Sequence, residues 1–123
     1  MRCFKKLVKQ ELESRRMMAI VKAVSNAIYE DLQNIEEDDA FEEAEKIWQQ
    51  LKINPYLGEP LFDRPDLDIY LEGCYKIYFY QKKYRFVYTM NDANEIIIVM
   101  IIAIGKRDKL EVYREADKRL GES

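Results

Sequence analysis

The feature that most constrains this chain is a run of nine apolar residues, Ile96 to Ile104, closed by Gly105-Lys106-Arg107. Nine residues fall far short of the roughly 20 that cross a bilayer as a helix. Isoleucine and valine favour the pleated, packed environment of a sheet, so the run reads as a buried strand. Two more strand candidates precede it, giving three at about 74–80, 84–90 and 95–104. Asn91-Asp92-Ala93-Asn94 reads as the turn between the second and third.

The residues upstream follow a different period. Met17, Val21, Val24, Ile28, Leu32 and Ile35 recur at spacings of four and three, which predicts one long helix or two short ones over 4–33. A second helix is expected over 39–52, capped by Asp38 and Asp39, with Phe41, Ala44, Ile47, Trp48 and Leu51 as its apolar stripe. Asn54-Pro55 stops it, because proline cannot donate and restricts the residue before it. Residues 58–68 read as a surface loop. Asp108 with Glu111 forms a capping-box-like start for a last helix over 109–120. The order α-α-β-β-β-α implies an α+β fold: an N-terminal helical hairpin on a three- to four-stranded antiparallel sheet, with a C-terminal helix.

A length of 123 residues fits one domain, taken as 1–123. Nearly half the residues are apolar, enough for one core. The first residues do not read as a signal peptide, and no run is long enough to span a membrane. Two cysteines, Cys3 and Cys74, suit free thiols in a reducing cytoplasm. With no histidine, two cysteines do not make a zinc site, and neither metal nor cofactor is expected. Proton transfer near neutral pH would fall to Arg, Lys, Tyr or carboxylates.

The net charge of −3 is unevenly spread. Residues 1–29 carry +5, residues 30–72 carry −11 and residues 73–123 carry +3. Nucleic-acid binders are normally basic. The acidic middle, with Glu36-Glu37-Asp38-Asp39, weighs against such a partner, and the final third is compatible with one.

The strands place chemistry as well as core. Along 74–80, Tyr75, Ile77 and Phe79 point one way and Lys76, Tyr78 and Tyr80 the other. A two-residue turn at Lys82-Lys83 would pair Tyr80 with Arg85, Tyr78 with Val87 and Lys76 with Thr89. That register gathers Lys76, Tyr78, Tyr80 and Arg85 on one cationic, aromatic face, whereas a three-residue loop would break the grouping. Cations neutralise phosphates and aromatic rings stack on unpaired bases. The same residues are also ordinary for a half-exposed sheet, and periodicity alone goes no further.

The stretches CYKIYFYQKKYRFVYTM (Cys74 to Met90) and IGKRDKLEVYREADKRL (Ile104 to Leu120) resemble the RelE branch of the RelE/ParE toxin superfamily. The loop from Asn54-Pro55 through Gly58 to Leu61 is similar to that family's link between helix and sheet. The resemblance covers about residues 54–120. It implies a type II toxin: a metal-independent endoribonuclease that cuts mRNA on the ribosome by 2′-OH attack, restrained by a cognate antitoxin.

By position, the resemblance makes Lys76, Arg85, Arg107 and Tyr113 catalytic candidates. Tyr78, Tyr80, Lys82, Lys83 and Lys106 are the RNA-binding candidates beside them. Tyr78 stands where the family carries a second lysine, and a neutral phenol supplies no fixed positive charge. Family members usually open with a strand; here the chain reads as entering a helix at once. A sheet edge is then expected to be bare and open to an antitoxin segment or a second copy. Two alternatives share the fold: a ParE-like toxin acting on DNA gyrase, and a non-enzymatic interaction module.

Overall fold

The computed structural model describes residues 19–93, 96–106 and 110–122. Strand β1 (Ala19–Ala23) leads into helices α1 (Ala27–Gln33) and α2 (Asp38–Ile53). The two-residue strand β2 (Glu59–Pro60) and a 3₁₀ turn (Pro65–Leu67) follow. Strands β3 (Cys74–Phe79), β4 (Tyr84–Ala93) and β5 (Ile96–Lys106) and helix α3 (Glu111–Glu122) complete the order. Among the described residues the strands form one sheet in the order β1-β5-β4-β3-β2.

β5 is the central apolar run, and its neighbours explain why it is buried. β4 pairs with it antiparallel and β1 parallel, with Ala19 opposite Ile97 and Ala23 opposite Ile101. The sheet is therefore mixed, because β1 returns to β5 in the parallel sense. α1 and α2 cover one face, where Ile28, Ala44, Ile47 and Leu51 pack on Phe86, Tyr88, Val99 and Ile101. α3 and the segment 61–71 cover the other, where Val112, Tyr113 and Ala116 meet Val87, Ile102 and Ala103. On the first face, Phe79 stacks on Tyr84 across the β3–β4 pair, with ring centres 5.4 Å apart.

The expected α+β class holds, and several of its parts change. Residues 19–23 are a strand, not helix; residues 4–18 lie outside the described residues. Val21 and Val24 fit a helical stripe, yet Ala19, Val21 and Ala23 also alternate, and pairing with β5 selects the alternation. The opening strand expected to be missing is thus present, and it covers the β5 edge along Ile97–Ile101. The turn expected at 91–94 is mostly strand: Asn91, Asp92 and Ala93 pair with Ile98, Ile97 and Ile96.

The predicted α2 stripe is recovered, with Ala44, Ile47 and Leu51 buried and Phe41 and Trp48 partly so. Its N-cap is Glu37, not Asp38 or Asp39; those two lie in the first turn, where the helix dipole favours them. The Asp108 cap lies outside the described residues. The 58–68 loop is more structured than expected. Leu61 N–H donates to the Cys74 carbonyl at 2.8 Å, and Arg64 and Ile69 exchange backbone bonds of 2.7 and 3.1 Å. Among the described residues no helix is long and apolar enough to cross a membrane.

Candidate functional site

β3 and β4 place the site. The observed register pairs Tyr78 with Arg85 and Lys76 with Val87, shifted by two residues from the expected pairing. Tyr80, Gln81 and Lys82 cause the shift. All three adopt left-handed backbone (φ 52°, 54° and 67°), and Lys83 N–H closes the turn on the Tyr80 carbonyl at 3.0 Å. A shift of two preserves the pleat, so Lys76, Tyr78 and Arg85 still share one face. Tyr80 leaves that group and packs near Tyr84 against the opposite core.

Arg85 is only 6% exposed. Its guanidinium carbon lies 5.0 Å from the centre of the Tyr78 ring and 4.4 Å from that of Tyr113 on α3. The cation is flanked by two aromatic rings, an attraction worth about 1–2 kcal/mol per ring when desolvated. Its Nε and Nη1 are buried and donate to no acceptor among the described residues. Buried donors left in this state cost about 1–3 kcal/mol each. Lys76 Nζ donates to the Tyr78 hydroxyl at 3.0 Å and sits 4.8 Å from its ring centre. Lys82 Nζ lies 6.0 Å from the same ring.

Lys76, Arg85 and Tyr113 line a cavity of about 430 Å³. Its apolar lining is Leu61, Leu67, Ile69, Leu71 and Leu110. Glu59, Phe62 and Arg64 also line it. Chemically, the site offers two cations, an aromatic sandwich, unused donors and an apolar lining. That combination suits an anion attached to a planar or apolar group.

The other candidates are distributed differently. Lys83 and the Tyr84 hydroxyl both donate to the Glu37 carboxylate at the start of α2. These two bonds hold the Glu37 carboxyl down at about 2, while burial and the bond to Glu37 push the Tyr84 phenol up. Lys106 pairs with Glu36 at 3.2 Å. Two of the RNA-binding candidates are thus engaged by the acidic segment. Arg107 lies outside the described residues. The cavity wall went unread in the sequence, although Leu67, Ile69 and Leu71 alternate as a half-buried extended segment does.

No family model matches the chain. Over 50 residues, 41% of its length, it is 47% identical to the mRNA interferase toxin RelE of Escherichia coli K12. The same figures hold for the mRNA interferase RelE of Shigella flexneri. The match takes in 50% of each of those proteins, so the chain spans about half the length of the curated relatives it matches. A free E. coli RelE carrying two arginine-to-alanine changes superposes with a TM-score of 0.63, at 25% identity, over 85% of this chain and 99% of that one. The chain has a RelE-like fold. A mutant RelE solved in complex with an antitoxin RelBc peptide has the same fold, with a TM-score of 0.54 at 23% identity over 81% of this chain and 95% of that one.

Proposed function

We propose that this RelE-like chain is the toxin of a type II toxin–antitoxin pair, a metal-independent endoribonuclease acting on mRNA at the ribosome. The observation that carries the reading is Arg85: a cation only 6% exposed, held between Tyr78 and Tyr113, with two donors unused and Lys76 in the same cavity. The names of the matched relatives support it.

In this reading the ribose 2′-oxygen attacks the adjacent phosphorus. Its proton passes to a base, the P–O5′ bond breaks, and the leaving 5′-oxygen takes up a proton. The products are a cyclic phosphate and a 5′-hydroxyl end. Arg85 and Lys76 stabilise the extra negative charge on the phosphate, a role in which one positioned donor is worth about 10²–10³ in rate. Tyr113 holds the Arg85 guanidinium and presents its ring to the substrate. Arg107 is proposed as the second arginine on the phosphate and the route to the leaving oxygen. Tyr78, Lys82, Lys83 and Lys106 are proposed to contact the RNA, which for Lys83 and Lys106 requires exchange of Glu37 and Glu36 for phosphate. Tyr80, the remaining RNA-binding candidate, would reach RNA only from the edge of the β3–β4 turn. A cognate antitoxin is the proposed protein partner, in line with the peptide complex of the structural neighbour.

The test is induced expression with mapping of mRNA 5′ ends. Codon-periodic cleavage that disappears with Arg85→Ala or Arg107→Ala is expected. Growth arrest with intact mRNA and relaxed plasmid supercoiling would move the reading to a gyrase-directed toxin. No effect on growth would move it to a non-enzymatic module.

A further inference from the structure

The Lys76 and Arg85 cations account for part of the cavity lining; its apolar residues have no role in phosphate chemistry. Phe62 is 70% exposed, and it lines the same cavity as Leu61, Ile69 and Leu71. A benzyl side chain in water is unfavourable, so its position calls for a cause. The backbone around it is held. Leu61 is buried and its N–H is bonded to Cys74, Arg64 is bridged to Ile69, and Asp63 Oδ1 accepts the Glu72 N–H at 2.9 Å. Arg64 is further tied to Asp66, with Nη2 and Oδ2 3.0 Å apart. Phe62 is therefore a ring presented on an anchored segment.

We infer that Phe62 is a base-stacking residue: the cavity takes one unpaired nucleobase of single-stranded RNA against the Phe62 ring, with the attached phosphate on Lys76 and Arg85. This inference rests on the ribonuclease reading above and adds to it the group that seats the base. A volume of about 430 Å³ lies within the range of small-ligand sites. A nucleotide supplies, in a single unit, the ring for the apolar lining and the anion for the unused Arg85 donors. An acidic peptide would satisfy Arg85 and leave Phe62 without a stacking partner, and for that reason RNA is favoured over a protein segment.

The probe is a single-stranded RNA hexamer with a 2′-deoxy sugar at the cleavage position, so that it is bound and not cut. A second set carries an abasic residue at each position in turn. Stacking on an aromatic side chain is worth enough per base to predict about a tenfold loss of affinity for Phe62→Ala. Phe62→Trp is expected to retain binding. One abasic hexamer is expected to bind the wild type as weakly as the intact hexamer binds Phe62→Ala, with no further loss when the two changes are combined. Thermal melts of Phe62→Ala are expected to match the wild type, since the ring is exposed.

Equal affinity of wild type and Phe62→Ala overturns the inference, as does absence of measurable hexamer binding by the wild type. If Arg85→Ala loses binding and Phe62→Ala does not, the base seat is wrong and the ribonuclease reading stands. Intact cellular mRNA on induction removes the ribonuclease reading whatever Phe62 does. Loss of an antitoxin-type peptide, with hexamer binding unchanged in Phe62→Ala, makes Phe62 a protein-docking residue and overturns the inference.

Discussion

Asp31 in α1 and Arg119 in α3 form a two-point ion pair, with Nη1 to Oδ2 at 2.7 Å and Nη2 to Oδ1 at 3.1 Å. They meet where β5 bulges: Val87 faces Ala103, Tyr88 faces Ile101, and Ile102 is the extra residue. Beyond Ile101 the edge of β5 has no β1 residue to pair with. Asp31 Oδ2 accepts the Ile104 N–H at 3.0 Å, and Arg119 Nη1 donates to the Ile102 carbonyl at 2.8 Å. The ion pair therefore replaces the missing stretch of strand, supplying partners that buried backbone groups require. The bulge also reverses the pleat, so that Ile101 and Ile104 enter one core while Ile102 and Ala103 enter the other.

Removing either half of this clamp will leave a mostly buried charge and a backbone group unpaired. Arg119→Ala is expected to cost about 3 kcal/mol, read from urea unfolding. Asp31→Asn keeps an acceptor for the Ile104 N–H and is expected to cost clearly less. Equal losses for the two would show that the charge, not the backbone bond, dominates.

Arg85 combines site chemistry with poor satisfaction of its own donors. Replacing it with methionine removes two buried, unbonded N–H groups and keeps an apolar stem between the Tyr78 and Tyr113 rings. The loss of the cation–π contacts offsets part of that gain. Arg85→Met is expected to leave stability unchanged or raise it by about 1 kcal/mol, while abolishing the proposed mRNA cleavage. Denaturant melts and 5′-end mapping on the same variant check both halves.

Acid sensitivity should trace to Glu37. Its carboxyl is lowered from 4.5 to about 2 by the bonds from Lys83 and Tyr84. A carboxyl whose folded value is depressed contributes stability that is present above its unfolded value and is lost as pH falls through the folded value. The contribution should fade between about 4.5 and 2. Glu37→Gln is expected to flatten the pH dependence of stability across that window, with lower stability than the wild type near neutrality and a difference that closes toward pH 2. A parallel offset at every pH would contradict the assignment.

Gly58 is fixed by a close approach. Its N–H donates to the Tyr88 hydroxyl at 2.8 Å, and that hydroxyl donates to the Pro55 carbonyl at 2.9 Å. A Cβ at Gly58 would lie 2.7 Å from the Tyr88 oxygen and 2.9 Å from the Lys76 carbonyl. Gly58→Ala is expected to lower stability by about 2 kcal/mol through overpacking. Because the Lys76 carbonyl is among the displaced atoms, the proposed mRNA cleavage should slow as well. Thermal melts and 5′-end mapping separate the two effects.

The local patterns carried much of this fold. Alternation along 74–79 and 84–90 puts Lys76, Tyr78 and Arg85 on one face whatever even-numbered shift the turn imposes, because the pleat has a period of two. The α2 stripe and the Asn54-Pro55 stop were equally legible, since both depend on neighbours within a few residues. Residues 19–23 were misread because their apolar residues satisfy two periods at once. Only β5, more than 70 residues away in the chain, distinguishes strand from helix there.

The amino-acid sequence alone therefore determined the nine-residue apolar run, the strands flanking it and the face that Lys76 and Tyr78 share, which Arg85 joins through the turn at 80–83. These follow from side-chain chemistry and backbone period, which act over a few residues. The tertiary structure decided that β1 is a strand, that Asp31 and Arg119 close the bulge, and that Tyr113 and Phe62 meet Arg85 at one cavity. Each of these joins residues far apart in sequence, where pairing and burial outweigh local preference.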